Sequence, residues 1–215
     1  FQIGAIIGGF SLVGSLSYLP GGFLADRIGR RPVVIIGWVI SVVATFFMAI
    51  ATRLEFFIPS YLFYGFTVFV TPPLNSYITE ARGKLSTGRA LTLTSAFYSL
   101  GAIIGPLFGG KIADTFGYRR LFFIALGIFI VSTAIISFIH SQPLDIKSKE
   151  DRSNRLLANH KYLMFLGVLF FATFAMYLPQ PLASNYLQNQ QKLNLTQIGQ
   201  LYSINALGIV ILNLV

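Results

Sequence analysis

Seven stretches of this chain contain no Asp, Glu, Lys, Arg or His: residues 3–22, 33–51, 56–79, 90–110, 121–139, 162–182 and 197–215. Each is close to the ~20 residues that cross ~30 Å of hydrocarbon at ~1.5 Å per residue. Inside lipid a spanning segment has to pair its own backbone amides, so the runs predict α-helices. Strands of a membrane barrel would be about ten residues long and would alternate polar with apolar positions, which these do not. The pattern predicts an all-α integral membrane protein, multi-pass, with seven spans.

The polar residues between the runs set its orientation. One alternate set of loops holds Arg27, Arg30 and Arg31, then Arg82, Lys84 and Arg89, then Lys147, Lys149, Arg152, Arg155 and Lys161. The other set holds Arg53, then Lys111, Arg119 and Arg120, then Lys192. Excess Lys and Arg marks the cytoplasmic side, so the first set is expected there. Residues 142–161, polar and basic, predict a cytoplasmic linker lying against anionic headgroups and separating a bundle at 1–141 from the start of a second at 162–215. The chain begins on Phe1 and stops inside an apolar run, which predicts a piece of a longer protein.

Composition narrows the function. Of 215 residues 54% are hydrophobic and 11% charged, against about 25% charged in soluble domains; the mean hydropathy is +0.70. The formal charge of +9 comes from residues outside the apolar runs. It therefore reads as membrane orientation, and no nucleic-acid partner is expected. There is no Cys, hence no disulfide or thiolate metal site. His140 and His160 stand outside any ligand cluster, so neither a metal nor a cofactor is expected. No catalytic pairing of His with Asp, Glu or Ser falls within the spans, and no phosphate-binding loop is present, so neither an enzyme nor direct ATP drive is indicated.

Repeats carry more information. GGFLADRIGRR at 21–31 recurs as GGKIADTFGYR at 109–119, keeping Gly21/Gly109, Gly22/Gly110, Ala25/Ala113, Asp26/Asp114, Gly29/Gly117 and Arg31/Arg119 at one offset of 88. Three spans fill that offset, and an odd number places the two copies on opposite membrane faces: an inverted repeat. A weaker echo pairs QIG at 2–4 with QIG at 197–199 in parallel orientation. Inverted three-helix units within parallel halves are transporter construction, and they argue against a seven-helix receptor.

GGFLADRIGRR resembles the loop signature G-x-L-A-D-R-x-G-R-R of the major facilitator superfamily, matching at Gly22, Leu24, Ala25, Asp26, Arg27, Gly29, Arg30 and Arg31. GAIIGPLFGG is similar to that family's fifth-helix antiporter signature through Gly101, Gly105, Pro106, Gly109 and Gly110. The resemblance covers the whole chain as helices two to eight of twelve, so 1–141 is expected to be the first six-helix bundle without its first helix, and 162–215 two helices of the second. Where the signature has a further Gly the chain has Thr92, and where the family's fourth helix carries an Arg it has Tyr61.

The resemblance implies a secondary active transporter working by rocking-bundle alternating access. It further implies proton-coupled export of a small neutral or amphipathic compound, with an uptake symporter or facilitator of the same fold as the alternative. It also implies a cytoplasmic latch at Gly22, Asp26, Arg27, Arg30, Arg31 and Glu80. A carboxylate such as Asp26 at the C-terminal end of its helix needs a cation or another helix's N-terminus. Arg30 is spaced to reach a carboxylate on a neighbouring helix, and Glu80 is the expected one. Gly101, Gly105 and Gly109 recur on one helical face, where a large side chain at Gly105 is expected to wedge helices apart; Pro106 is expected to kink the helix. Polar and aromatic residues within the spans, Tyr61, Tyr64, Asn75, Tyr98, Tyr177 and Gln180, are the candidates for a substrate cavity, with Pro72–Pro73 and Pro179/Pro181 marking broken helices. The expected partners are a small-molecule substrate, protons as coupling ion and the lipid bilayer, with the protein acting as a monomer.

Overall fold

Proline punctuation and helix-end glycines decide where the helices stop. The structure, a computed structural model, describes residues 2–142 and 159–214. Its helices are α1 (Gln2–Ile28), α2 (Arg30–Ile50), α3 (Leu54–Gly65), a 3₁₀ segment (Phe66–Val70), α4 (Thr71–Ala81), α5 (Thr87–Phe116), α6 (Tyr118–Ile136), α7 (His160–Tyr177), α8 (Gln180–Asn189) and α9 (Leu195–Leu214). Six of the expected spans are helical stretches long and apolar enough to cross a membrane, α3 to α4 counting as one. The seventh falls on α9. The expected linker lies largely outside the described residues, and its last positions, His160 and Lys161, already belong to α7.

Two helix ends show that the sequence repeat is a structural one. Gly29 (φ 94°, ψ 158°) precedes α2 and Gly117 (φ 83°, ψ 161°) precedes α6. That backbone region is open to glycine and strained for residues with a Cβ. The Gly29 amide bonds back to the Ala25 carbonyl at 3.0 Å, and the Gly117 amide to the Ala113 carbonyl at 2.9 Å. The same turn is thus built twice, three membrane crossings apart, which puts the copies on opposite faces. We refer to the face bearing Arg27, Arg30 and Arg31 as the basic face.

The fourth family span is broken where the prolines predict. The Phe69 carbonyl looks for an amide at position 72 or 73, and both are proline with no N–H to give. Continuing as α-helix is impossible there, and residues 66–70 tighten into a 3₁₀ turn. Gly21 of α1 lies directly on the exposed carbonyl: a Cβ at Gly21 would sit 2.0 Å from the Phe69 oxygen. Val70 fills the matching gap on α2, where a Cβ at Gly37 would sit 1.8 Å from a Val70 methyl. Around this break Ala25, Val33, Val34, Phe69 and Val70 form a buried cluster, flanked by Leu24, Trp38, Ile40, Leu74, Ile136 and Ile139. The core of the first bundle therefore sits toward the basic face.

The perimeter is apolar. Neither α6 nor α7 buries a residue, and Ile128 and Phe171 are 65% and 69% exposed. Contiguous apolar surface of this extent is unsustainable in water and costs nothing against lipid tails. The chain is a multi-pass membrane protein.

The Gly21 seat yields a contrast between neighbouring glycines. Gly21→Ala drives a methyl into backbone, and is expected to cost about 1–3 kcal/mol; Gly22→Ala meets no described atom within 4 Å. Thermal denaturation in detergent should show a clear drop in Tm for the first and none for the second. Equal Tm values for the two variants would contradict the packing described.

Candidate functional site

Gly22 and Asp26 stand one helical turn apart near the basic end of α1, with Asp26 exposed. Arg27, next along, folds back over the Phe23 ring at 4.3 Å. Arg30 and Arg31 are the first two residues of α2, because Gly29 turns the chain between them and α1. The pairing of Arg30 with Glu80 expected from spacing is not the one formed. Arg30 donates from Nη1 to Oε1 of Gln142 at 3.0 Å, and Gln142 donates from Nε2 to the Tyr77 carbonyl at 3.0 Å. Arg31 donates from Nη2 to the Ser137 carbonyl at 3.0 Å, and Tyr77 donates its hydroxyl to the His140 carbonyl at 3.1 Å. Glu80 is exposed near the end of α4. The reason is the direction in which Gly29 launches α2. Arg31 meets the end of α6, where C-terminal carbonyls lack helical partners and attract cations, and Arg30 meets the Gln142 side chain beyond it. The two arginines thus tie the start of α2 to the chain leaving α6. Sequence reasoning missed this tie, although the polar run Ser137, His140, Ser141, Gln142 was a visible signal for it.

On the opposite face the second copy of the motif meets the second bundle. The Asp114 carboxylate accepts from the Leu195 amide at 3.2 Å through Oδ1 and from the Thr196 amide at 2.7 Å through Oδ2; the Thr196 hydroxyl donates to Oδ2 as well. One turn back, a Cβ at Gly110 would sit 2.4 Å from the Leu195 carbonyl oxygen, and a Cβ at Gly199 would sit 2.2 Å from the Pro106 carbonyl oxygen. Deeper still, the Ser203 hydroxyl lies 2.6 Å from the Ile103 carbonyl oxygen. Residues 103, 106, 110 and 114 are spaced three and four apart, so one face of α5 carries the whole contact. Backbone against backbone with no intervening side chain is the small-residue packing of membrane helices.

The fifth-helix glycines take different places in this geometry. A Cβ at Gly101 or at Gly105 would meet no described atom within 4 Å, and one at Gly109 would meet only a Leu121 methyl at 3.9 Å. Gly110, one residue on, makes the close approach to α9. Pro106 contributes its carbonyl to the Gly199 seat.

The six cavity candidates separate. Tyr61 and Tyr64 stack on Phe10 of α1, with ring centroids at 4.7 and 6.2 Å, and Tyr64 meets Phe129 of α6 edge-on at 6.0 Å. Tyr61 therefore ties α3 to α1, and Tyr64 ties α3 to both α1 and α6. Tyr64 also borders a cleft of about 290 Å³ with Trp38, Ser41, Thr67, Thr71 and Ser132. The Trp38 indole donates to the Ser132 hydroxyl there at 2.8 Å. Asn75, Tyr98, Tyr177 and Gln180 are exposed; Tyr98 lies near enough to Tyr64 to interact with it electrostatically, while among the described residues no hydrogen bond or ring contact joins Asn75, Tyr177 or Gln180 to the tyrosine pair. Tyr177 and Gln180 flank the expected break at Pro179, between α7 and α8.

Known proteins resemble the chain along the same lines. It is 28% identical over 153 residues to multidrug resistance protein 2 of Bacillus subtilis, covering 71% of this chain and 38% of that protein. It is 30% identical over 157 residues to the multi-drug resistance efflux pump PmrA of Streptococcus pneumoniae, covering 71% and 39%. It is 26% identical over 151 residues to the riboflavin transporter RibZ of Clostridioides difficile, covering 69% and 33%. The matched stretch spans less than two fifths of each relative. The Major Facilitator Superfamily model matches residues 1–215, and with its inverted glycine–aspartate repeat and all-helical build the chain belongs to that family of membrane transporters.

Proposed function

We propose that the protein is a secondary active transporter that exports a small neutral or amphipathic compound in exchange for protons, by rocking one helical bundle against the other. The observation that carries this reading is where the bundles touch. Among the described residues, the hydrogen bonds between α1–α6 and α7–α9 fall between Ile103–Asp114 and Leu195–Ser203, away from the basic face. Gly22, the repeat mate of the closely packed Gly110, meets no described atom within 4 Å. The arrangement matches one half-cycle of alternating access, closed on the outer side, with the cytoplasmic motif engaging the second bundle in the other half-cycle.

In that second state Gly22, Asp26, Arg27, Arg30, Arg31 and Glu80 form the cytoplasmic latch. Asp26 has the same spacing from Gly22 as Asp114 has from Gly110, and a helix N-terminus arriving there would complement its charge. Export and a neutral or amphipathic substrate are supported by the efflux relatives and by the uncharged, aromatic character of the spans. An uptake symporter or facilitator on the same fold is favoured by one feature, Tyr61 in place of the family's fourth-helix Arg.

Two measurements in the complete protein encoded by the gene test this reading. In proteoliposomes, an imposed proton gradient should drive flux of amphipathic compounds out of the cytoplasmic compartment; flux indifferent to the gradient across a broad panel rules out proton antiport and leaves the facilitator. Asp26→Asn should cut transport by about tenfold or more while abundance and insertion stay near normal, since the helix-end charge is removed without changing side-chain volume. Normal transport by this variant would remove Asp26 from the mechanism.

A further inference from the structure

The N-terminus of α9 is capped in two separable parts. Asn194 and Gln197 form a reciprocal capping box: the Gln197 amide donates to Oδ1 of Asn194 at 2.8 Å, and the Asn194 amide donates to Oε1 of Gln197 at 3.0 Å. The first helical bond follows, from the Ile198 amide to the Asn194 carbonyl at 3.0 Å. That local cap leaves the amides of Leu195 and Thr196, and these are the two that Asp114 takes from across the bundle interface. So α9 owns a complete start of its own. Losing Asp114 uncovers two exposed amides to water without unravelling the helix.

Asp114 itself has a reason to be there. It lies two residues from the end of α5, where its own helix dipole disfavours a carboxylate, and the N-terminal end of α9 reverses that field. The backbone contact beneath it brings the charge within reach. Gly110 and Gly199 let the two helices meet with no side chain between them. Asp114 is also exposed, so water can replace the α9 amides when the helices part.

We propose that Asp114 is the outer gate residue of the transport cycle: its carboxylate, seated on the Leu195 and Thr196 amides, holds the outer side shut and leaves α9 each time that side opens. The proposal rests on the alternating-access reading above and assigns to that cycle a residue on the face opposite the signature loop. Asp114 acts through the position of α9 and touches no substrate, so the decisive readout is conformation.

The chain contains no cysteine, and spin labels are placed by substitution in the complete protein in lipid nanodiscs. One pair, Lys111→Cys with Gln188→Cys, reports across the outer face; a second, Lys84→Cys with Lys161→Cys, reports across the basic face. Asp114→Ala is expected to raise the long-distance, outer-open population by about tenfold and to shorten the basic-face distance in step. Asp114→Glu should return part of the closed population by restoring the charge. Thr196→Val, which keeps both amide bonds and loses only the hydroxyl, should give a smaller shift in the same direction. An outer-face distribution unchanged in both Asp114→Ala and Thr196→Val overturns the assignment. Should Asp114→Ala yield no folded protein, the Thr196→Val distribution decides alone, and its identity with the parent overturns the assignment. If Asp114→Ala opens the outer face while no solute is transported by the parent protein, the transporter reading fails and the gate stands. If transport is intact and the outer face does not respond, the gate fails and the transporter reading stands.

Discussion

In hydrocarbon no water waits to satisfy an abandoned backbone group, and this constraint shapes the whole molecule. A helix can be interrupted only where something else covers the interruption. Pro72 and Pro73 leave the Phe69 carbonyl with no amide at either helical spacing, and the backbone of α1 covers it at Gly21. On α5, which runs as one helix through Pro106, the Ile103 carbonyl accepts the Ser203 hydroxyl of α9. At the Pro72–Pro73 break the covering group belongs to another helix, so the break is also a joint of the bundle. A glycine or a small hydroxyl residue is required at a joint because anything larger holds the backbones apart.

The inverted repeat uses this device twice for different ends. The turn itself is reproduced to the level of a single hydrogen bond, Gly29 to Ala25 and Gly117 to Ala113. What differs is which of the paired glycines is engaged. In the first copy Gly21 is committed to the broken helix of α3 and α4, and Gly22 meets no described atom within 4 Å. In the second copy Gly109 is nearly free of contact, and Gly110 meets the second bundle. A double glycine therefore offers two faces of one helix, of which Gly21 uses the first within α1–α6 and Gly110 the second against α9. That division is a physical reason for the pair, which close packing on one face does not supply.

Much of this was legible in the sequence. Charge-free runs of about 20 residues located the helices, since length and apolarity alone decide a span. The break at Pro72–Pro73 and the repeat offset followed from the letters as well. What the letters did not contain was direction. Arg30 is correctly spaced to reach Glu80 along a straight helix, but the φ of 94° at Gly29 starts a new helix between Asp26 and Arg30 and aims the guanidinium at Gln142. The face of α5 that meets α9 was not legible for a related reason. Spacing of four identifies Gly101, Gly105 and Gly109 as one stripe, whereas the stripe in contact, residues 103, 106, 110 and 114, mixes Ile, Pro, Gly and Asp and has no compositional signature. Asp114 was visible as the mate of Asp26, yet its partner lies 82 residues away on a helix whose start is marked only by an Asn and a Gln.

Alternating access asks for two states within a few kcal/mol of each other, which limits how strong any gate can be. A buried ion pair would fail that limit, because breaking one strands an uncompensated charge at a cost of about 3–5 kcal/mol. A carboxylate on exposed helix amides stays well below it, at about 0.3–1 kcal/mol from the helix end and up to about 2 kcal/mol in favourable geometry. Water accepts both partners when they separate. The glycine contact beneath is similarly reversible in lipid, where parting two helices exposes apolar surface to apolar tails. The packing at Gly21 has the opposite character: it sits against the buried cluster of Ala25, Val33, Val34, Phe69 and Val70, and parting it would open that cluster. On the gate proposal the same residue type makes a fixed joint at one position and a movable one at another. The difference lies in the surroundings: a buried cluster beside Gly21, and beside Gly110 a carboxylate exposed to water.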